Sequence, residues 1–181
     1  MSGSSSTITA TDPGSIDPRI SPTLSWPLKL LALIGIVIAV LAVGGGSALA
    51  GSPDAWYAAL VRPPLAPPNW IFGPVWTLLY IMMGISLWLL MLAPAGRQRT
   101  TAIGLFLLQL LLNFAWTPIF FGLHRTDLAA IEIVLLLLAL LATIGAAARV
   151  SRPSALLLVP YAAWVSFATY LSIGFWWLNR S

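Results

Sequence analysis

The sequence predicts an all-α integral membrane protein, a bundle of five transmembrane helices with a Pro/Trp-rich loop between helices one and two. Three observations carry that reading. Of 181 residues, 59% are hydrophobic and 8% charged, with a mean hydropathy of +0.93, which is more apolar surface than one water-soluble core of this length hides. Five apolar runs, at about 28–50, 71–92, 101–122, 128–149 and 154–178, each exceed the ~18 residues that cross a bilayer. Lipid leaves only helices or closed barrels to satisfy the backbone, and runs such as LLALIGIVIAVLAV lack the apolar/polar alternation of barrel strands.

Residues 1–25 are rich in Ser, Thr, Pro and Asp and read as a disordered polar tail outside a membrane domain over 26–181. Around the first span, Lys29, the apolar run and Ser47-Ala48-Leu49-Ala50-Gly51 imitate a secretory signal with a small-residue cleavage site. The run is longer than a usual signal core and its basic flank is thin, which favours a retained span. Gly35 and Ala39, Gly44 and Ala48, and Gly46 and Ala50 are small residues four apart, a spacing that lets membrane helices approach closely. There is no cysteine, which excludes disulfides and thiol chemistry.

The net charge of +4 does not mark a nucleic-acid surface, because the nine Lys and Arg residues sit at span ends. Arg19, Lys29, Arg97, Arg99, Arg149 and Arg152 fall on one side of a five-span chain, and Arg62, Arg125 and Arg180 on the other. The positive-inside rule then expects a cytoplasmic amino terminus in an inner bacterial-type membrane.

The connection between the first two spans carries Trp56-Tyr57, Pro63-Pro64 and Pro67-Pro68, whose fixed proline φ angles make a stiff loop suited to act as a lid. Asn69 is expected to cap the following helix, with Pro74 tolerated in its first turn. Trp56, Tyr57 and Trp70 read either as an interfacial belt or as part of an aromatic slot. On the second span Phe72, Trp76 and Tyr80 recur every fourth residue. The third places Gln109, Asn113 and Trp116-Thr117 on one face, where buried amides need partners inside the protein. The fifth spaces Pro160, Trp164 and Ala168 four apart, the small Ala leaving room for something flat. The three faces can converge on a pocket, although aromatic core packing explains any one stripe as well.

At these residues the chain resembles a known family. WYxxLxxPxxxPPxWxFxPVWTxLY from Trp56 to Tyr80, QLxxNxxWTPxFF from Gln109 to Phe121, PYxxWxxFATxL from Pro160 to Leu171 and WxxN at Trp176 to Asn179 look like the TspO/MBR family, also called translocator protein, tryptophan-rich sensory protein or peripheral-type benzodiazepine receptor. The resemblance covers about 28–180 and implies a bundle, often a homodimer, that serves as receptor, sensor or transporter. The resemblance further implies binding of protoporphyrin IX, haem and other tetrapyrroles without a required cofactor, and in animal members of cholesterol and isoquinoline or benzodiazepine drugs. Matched motif by motif, the implied pocket falls on Tyr57, Pro67, Phe72, Trp76, Tyr80, Asn113, Trp116, Thr117, Trp164 and Ala168. In bacterial relatives a loop Tyr and a fifth-helix Trp, here Tyr57 and Trp164, are tied to light-dependent protoporphyrin IX degradation. These two are the implied catalytic residues if that reaction occurs.

The sterol motif of animal members departs here, Ile173 standing for its Tyr and Trp177 for its Arg, which weighs against a sterol or lipid transporter. Glu132, about one turn into the fourth span, reads as paired with Thr or amide groups or with Arg125, or else as an ion-transport group. His124 reads as a solvated loop residue or as an axial haem ligand. No nucleophile–base pair, Cys/His metal cluster or phosphate-cradling loop is present, which leaves an ordinary hydrolase or nucleotide enzyme unsupported.

Overall fold

The computed structural model describes residues 25–49, 51 and 53–180. Among them the helices are α1 Trp26–Leu49, α2 Ala55–Ala59, α3 Phe72–Leu92, α4 Arg97–Thr117, α5 Thr126–Ala148 and α6 Arg152–Leu178. A 3-10 turn, Asn69–Ile71, leads into α3, and a π-helical turn, Pro118–Gly122, prolongs α4. All but α2 are long and apolar enough to span a bilayer, and no strand occurs among the described residues. The polar tail expected over 1–25 lies outside the described residues except for Ser25.

Helix ends follow local chemistry. Ser151 caps α6 by accepting the Ser154 N–H at 3.4 Å, with Pro153 in the first turn where its missing N–H leaves no gap. Asp127 in the first turn of α5 complements the helix dipole. Asn69 does not cap α3. It opens the 3-10 turn, whose cap position is Pro68, and its side chain accepts instead from Arg62 across the loop. Pro118 has no N–H for the carbonyl of Phe114 one turn back, and Ser47 of α1 donates to that carbonyl at 2.9 Å. A backbone acceptor freed by proline in a span is thus satisfied by a neighbouring helix.

The connections α3–α4 and α5–α6 are a few residues long, so each joins antiparallel helices, and α5 and α6 pack along each other. α5 lies along both α4 and α6, α6 also along α3, and α3 along α1, while a thinner contact of α1 with α4 closes the ring. The core that joins them includes Met83, Phe106, Leu136, Leu140, Leu158, Tyr161 and Val165. Outward faces carry Ile34, Ile38, Leu111, Leu138 and similar exposed side chains suited to lipid. Lys29, Arg97, Arg99, Arg149 and Arg152 gather at one end of the helices, and Arg62, Arg125 and Arg180 at the other.

Polar ties hold α3 to its neighbours. Ser86 and Ser154 exchange hydrogen bonds with each other's carbonyls, both at 3.0 Å, between α3 and α6. Trp88 Nε1 donates to the Lys29 carbonyl of α1 at 3.1 Å. The close crossing of α1 and α3 uses two glycines, one on each helix. A Cβ on Gly44 would sit 2.1 Å from the Tyr80 ring, and one on Gly84 would sit 2.8 Å from the Val37 Cα. Of the small pairs expected from sequence, Gly35 is not at a crossing, since a Cβ there meets nothing within 4 Å. A four-residue spacing recurs around a helix and does not say which repeat faces a neighbour. The Ala48 and Ala50 halves of the other pairs lie outside the described side chains.

Gly44→Ala and Gly84→Ala should each lower the thermal midpoint in detergent, by an overpacking cost of about 1–3 kcal/mol, and Gly35→Ala should leave it unchanged. An unaltered midpoint in both of the first two would mean that this crossing does not constrain the bundle.

Candidate functional site

A cavity of about 520 Å³ opens at the end of the bundle that bears the α1–α3 loop. Aromatic rings of α3, α4 and α6 form its walls, the glycine-rich end of α1 closes one side, and α2 lies over it. On α3, Phe72, Trp76 and Tyr80 line it from mouth to floor because fourth-residue spacing keeps them on one face. Trp76 stacks on Tyr80 at 5.4 Å, and Phe72 meets Trp164 of α6 edge to face at 5.8 Å. Ala168 follows Trp164 by one turn on the same wall. At the floor, beside Ile133 and Leu136, the Tyr80 hydroxyl donates to Asn113 Oδ1 at 2.6 Å, and Asn113 Nδ2 donates to the Tyr161 hydroxyl at 3.0 Å.

The α4 wall depends on the π turn. The wider turn after Thr117 brings Phe120 and Phe121 onto the same side as Trp116, which stacks on Phe120 at 4.9 Å. Tyr57 of α2 lies buried among Phe120, Phe121 and Phe175, with ring centres 5.3–6.1 Å apart. The lining carries no charged side chain. Two donors in it are free: the indole N–H groups of Trp116 and Trp164 are buried and meet no acceptor among the described residues.

The loop above is latched rather than loose. Asp54 caps α2 by accepting the Tyr57 N–H at 2.9 Å, and its second oxygen pairs with His124 at 3.1 Å. The Tyr57 N–H and then His124 hold the Asp54 carboxyl below its ordinary value of 3.8. Asp54 therefore stabilises the lid above that value, and the contribution is lost as pH falls through its own lower value. Asn179, just past α6, grips Val61 from both sides: its Oδ1 accepts the Val61 N–H at 2.9 Å and its Nδ2 donates to the Val61 carbonyl at 3.0 Å. The Tyr170 hydroxyl donates to the Pro64 carbonyl at 3.0 Å, and Pro63 packs so tightly on Gly174 that a Cβ there would lie 2.7 Å away. The turn closed by the Ala66 N–H on Pro63 has Leu65 at φ 65°, a left-handed position that costs a non-glycine residue about 1 kcal/mol or more.

Of the ten expected pocket residues, Tyr57, Phe72, Trp76, Tyr80, Asn113, Trp116, Thr117, Trp164 and Ala168 line the cavity, and Pro67 does not. Pro67 lies half-buried in the loop beyond the latched turn. Two stripe members point elsewhere. Gln109 is fully buried beneath the cavity, with both amide atoms lacking partners among the described residues. Pro160 is exposed, and Tyr161 beside it takes the inward place. Trp70 is 73% exposed and suits the interfacial belt, whereas Trp56 packs on Phe120 and His124.

Two further readings need correction. Glu132 is buried on the inward face of α5 and pairs with neither Thr, amide nor Arg125 among the described residues. Arg125 is instead taken by Asp127, with Nε at 2.8 Å, because a carboxylate two residues on is nearer than one inside the bundle. His124 is not merely solvated: it stacks on Trp56 at 4.3 Å, bonds Asp54 and adopts a left-handed φ of 52°. His124, the one histidine of the sequence, is absent from the lining, as is every methionine, so the wall offers a metal centre no imidazole or thioether. Sequence reasoning gave no role to Phe120, Phe121, Phe175 or Asn179. The first two and Asn179 stood in the quoted motifs, but only the π turn and the lid contact reveal what they do.

Fold and site together define a five-helix membrane protein with a lidded aromatic cavity. The family model described as TspO/MBR family matches residues 33–178, which takes in most of the first span and the other four whole. The chain is 44% identical over 156 residues to the tryptophan-rich protein TspO of Chlorobaculum tepidum, covering 84% of this chain and 96% of that one. It is 37% identical to the protein CrtK of Rhodobacter capsulatus, over 82% of this chain and 94% of the relative, and 41% identical to the human translocator protein, over 67% and 73%. The chain belongs to the TspO/MBR family, as a multi-pass integral membrane protein.

Asn179→Ala should release the lid without unfolding the bundle. Amide hydrogen exchange at Val61 is expected to accelerate about ten-fold or more, as loss of a bond worth ~1 kcal/mol or more implies, while exchange in α5 stays unchanged.

Proposed function

We propose that the lidded cavity binds a flat, mainly apolar tetrapyrrole such as protoporphyrin IX or haem, and that the protein serves as a membrane receptor, sensor or carrier for it. The observation that carries this reading is an uncharged cavity walled by aromatic rings of three spanning helices and roofed by the Tyr57 ring of the lid. Ring faces supply stacking area for a planar ligand. The volume of about 520 Å³ lies within the range of ~300–1,000 Å³ usual for small-molecule sites. Membership of the TspO/MBR family supports the same reading.

A second reading, light-dependent degradation of protoporphyrin IX, is favoured by one specific feature. Tyr57 and Trp164, two readily oxidised side chains, both line the cavity and would flank a bound ring. No carboxylate, histidine, lysine or cysteine lines it to activate the hydroxyls of Thr77, Thr117 and Ser172, so such chemistry would draw on light and oxygen.

Binding and photochemistry should separate by mutation. Ala168→Leu intrudes on the slot and should weaken protoporphyrin IX binding, followed by tryptophan quenching in the dark, by about ten-fold or more. Trp164→Phe and Tyr57→Phe keep aromatic surface and should retain much of the affinity while losing most of any light-driven decline of the Soret band. Equal dark affinity in Ala168→Leu and parent would refute this pocket as the binding site. Equal photoloss at equal occupancy in the two Phe variants would refute the chemical role.

A further inference from the structure

Arg62 stands at the cavity mouth without forming part of its wall. Its Nη2 donates to two side chains that do line the cavity, the Tyr57 hydroxyl at 3.0 Å and Asn69 Oδ1, and its guanidinium carbon lies 5.3 Å from the centre of the Tyr57 ring. Those bonds use both hydrogens of Nη2. The Nη1 and Nε hydrogens have no protein partner among the described residues. The described carboxylates are engaged or enclosed elsewhere, Asp54 with Tyr57 N–H and His124, Asp127 with Arg125, and Glu132 on the inward face of α5. The lid therefore holds a cation, neutralised by no described acid, at the rim of a slot whose wall is uncharged.

This arrangement dictates how a ligand with both an apolar ring and a carboxylate must lie. A carboxylate pushed to the floor, beside Ile133 and Leu136, would lose its hydration with no counter-charge to replace it. At the rim it keeps contact with water and accepts charge-assisted bonds from a guanidinium that is already positioned by two others. We propose that Arg62 is the acid receptor of this site, selecting flat ligands that carry a carboxylate on one edge and orienting them ring inward, acid toward the lid. The proposal rests on the tetrapyrrole reading above and adds to it the ligand's charge and direction.

The test compares protoporphyrin IX with its dimethyl ester, which keeps the ring and removes the charge, on the full chain in detergent, with dark tryptophan quenching as the readout. In the parent the free acid should bind more tightly than the ester. Arg62→Gln should weaken the acid about ten-fold, in keeping with a partly solvated charge-assisted bond, and leave the ester within about two-fold, while Arg62→Lys retains part of the acid preference. A parallel loss of acid and ester would overturn the proposal, because Arg62 would then serve only to tie Tyr57 to Asn69. Unchanged binding of both would overturn it equally. A parent that binds neither compound would instead refute the tetrapyrrole reading itself, and a parent that binds both alike would refute only the role of Arg62.

Discussion

The Tyr80 side chain is the joint on which the bundle and its cavity depend. Its ring lies against Gly44 of α1, where no side chain would fit, its hydroxyl donates to Asn113 of α4, and Asn113 passes the connection to Tyr161 of α6. Four of the five spanning helices thus meet around one buried polar chain. Interhelical hydrogen bonds in membranes each contribute modestly, about 0.6–2 kcal/mol, so their sum is not the main effect. The larger one is the cost of leaving Asn113 without partners in a low-dielectric interior, about 1–3 kcal/mol, which penalises any packing that pulls the three side chains apart. Tyr80 and Asn113 of this cluster also line the cavity floor, so fixing the fold and fixing the depth of the slot are one event.

Above that floor, irregular backbone does the shaping. Pro118 cannot continue the α-helical bonding of α4, and the π turn that follows turns Phe120 and Phe121 onto the wall. Ser47 compensates by donating to the Phe114 carbonyl, which also ties the end of α1 to the same wall. The lid then rests its Tyr57 ring on Phe120, Phe121 and Phe175, and its prolines limit how far it can move once Asn179 and Tyr170 hold its backbone. A stiff segment held at both ends by hydrogen bonds opens by breaking those few bonds and not by unfolding, which is the behaviour a binding site behind a lid requires.

Charge is arranged around the same design. Cations sit at the two ends of the helices, and the cavity wall has none, so ring contact governs the interior while charge acts only at the rim. Gln109 and Glu132 are the polar side chains buried in neighbouring spans α4 and α5 whose polar atoms find no partner among the described residues, and neither lines the cavity.

By itself the sequence determined the class, the five spans to within a few residues, and nine of the side chains that line the cavity. Spans are legible because lipid imposes a length and a composition on every one of them, and Phe72, Trp76 and Tyr80 are legible because helical spacing alone puts them on one face. Periodicity failed where several faces were equally apolar: Gln109 and Pro160 shared stripes with true lining residues yet point under or away from the cavity, and Gly35 looked like Gly44 until a neighbour distinguished them. Tertiary structure alone decided the contacts between distant segments. Gly84 against Val37, Asn179 on Val61, His124 on Asp54 and Arg62 at the mouth join residues whose local sequence carries no mark of the pairing, because a contact between two helices depends on their rotation and depth, which no single helix specifies.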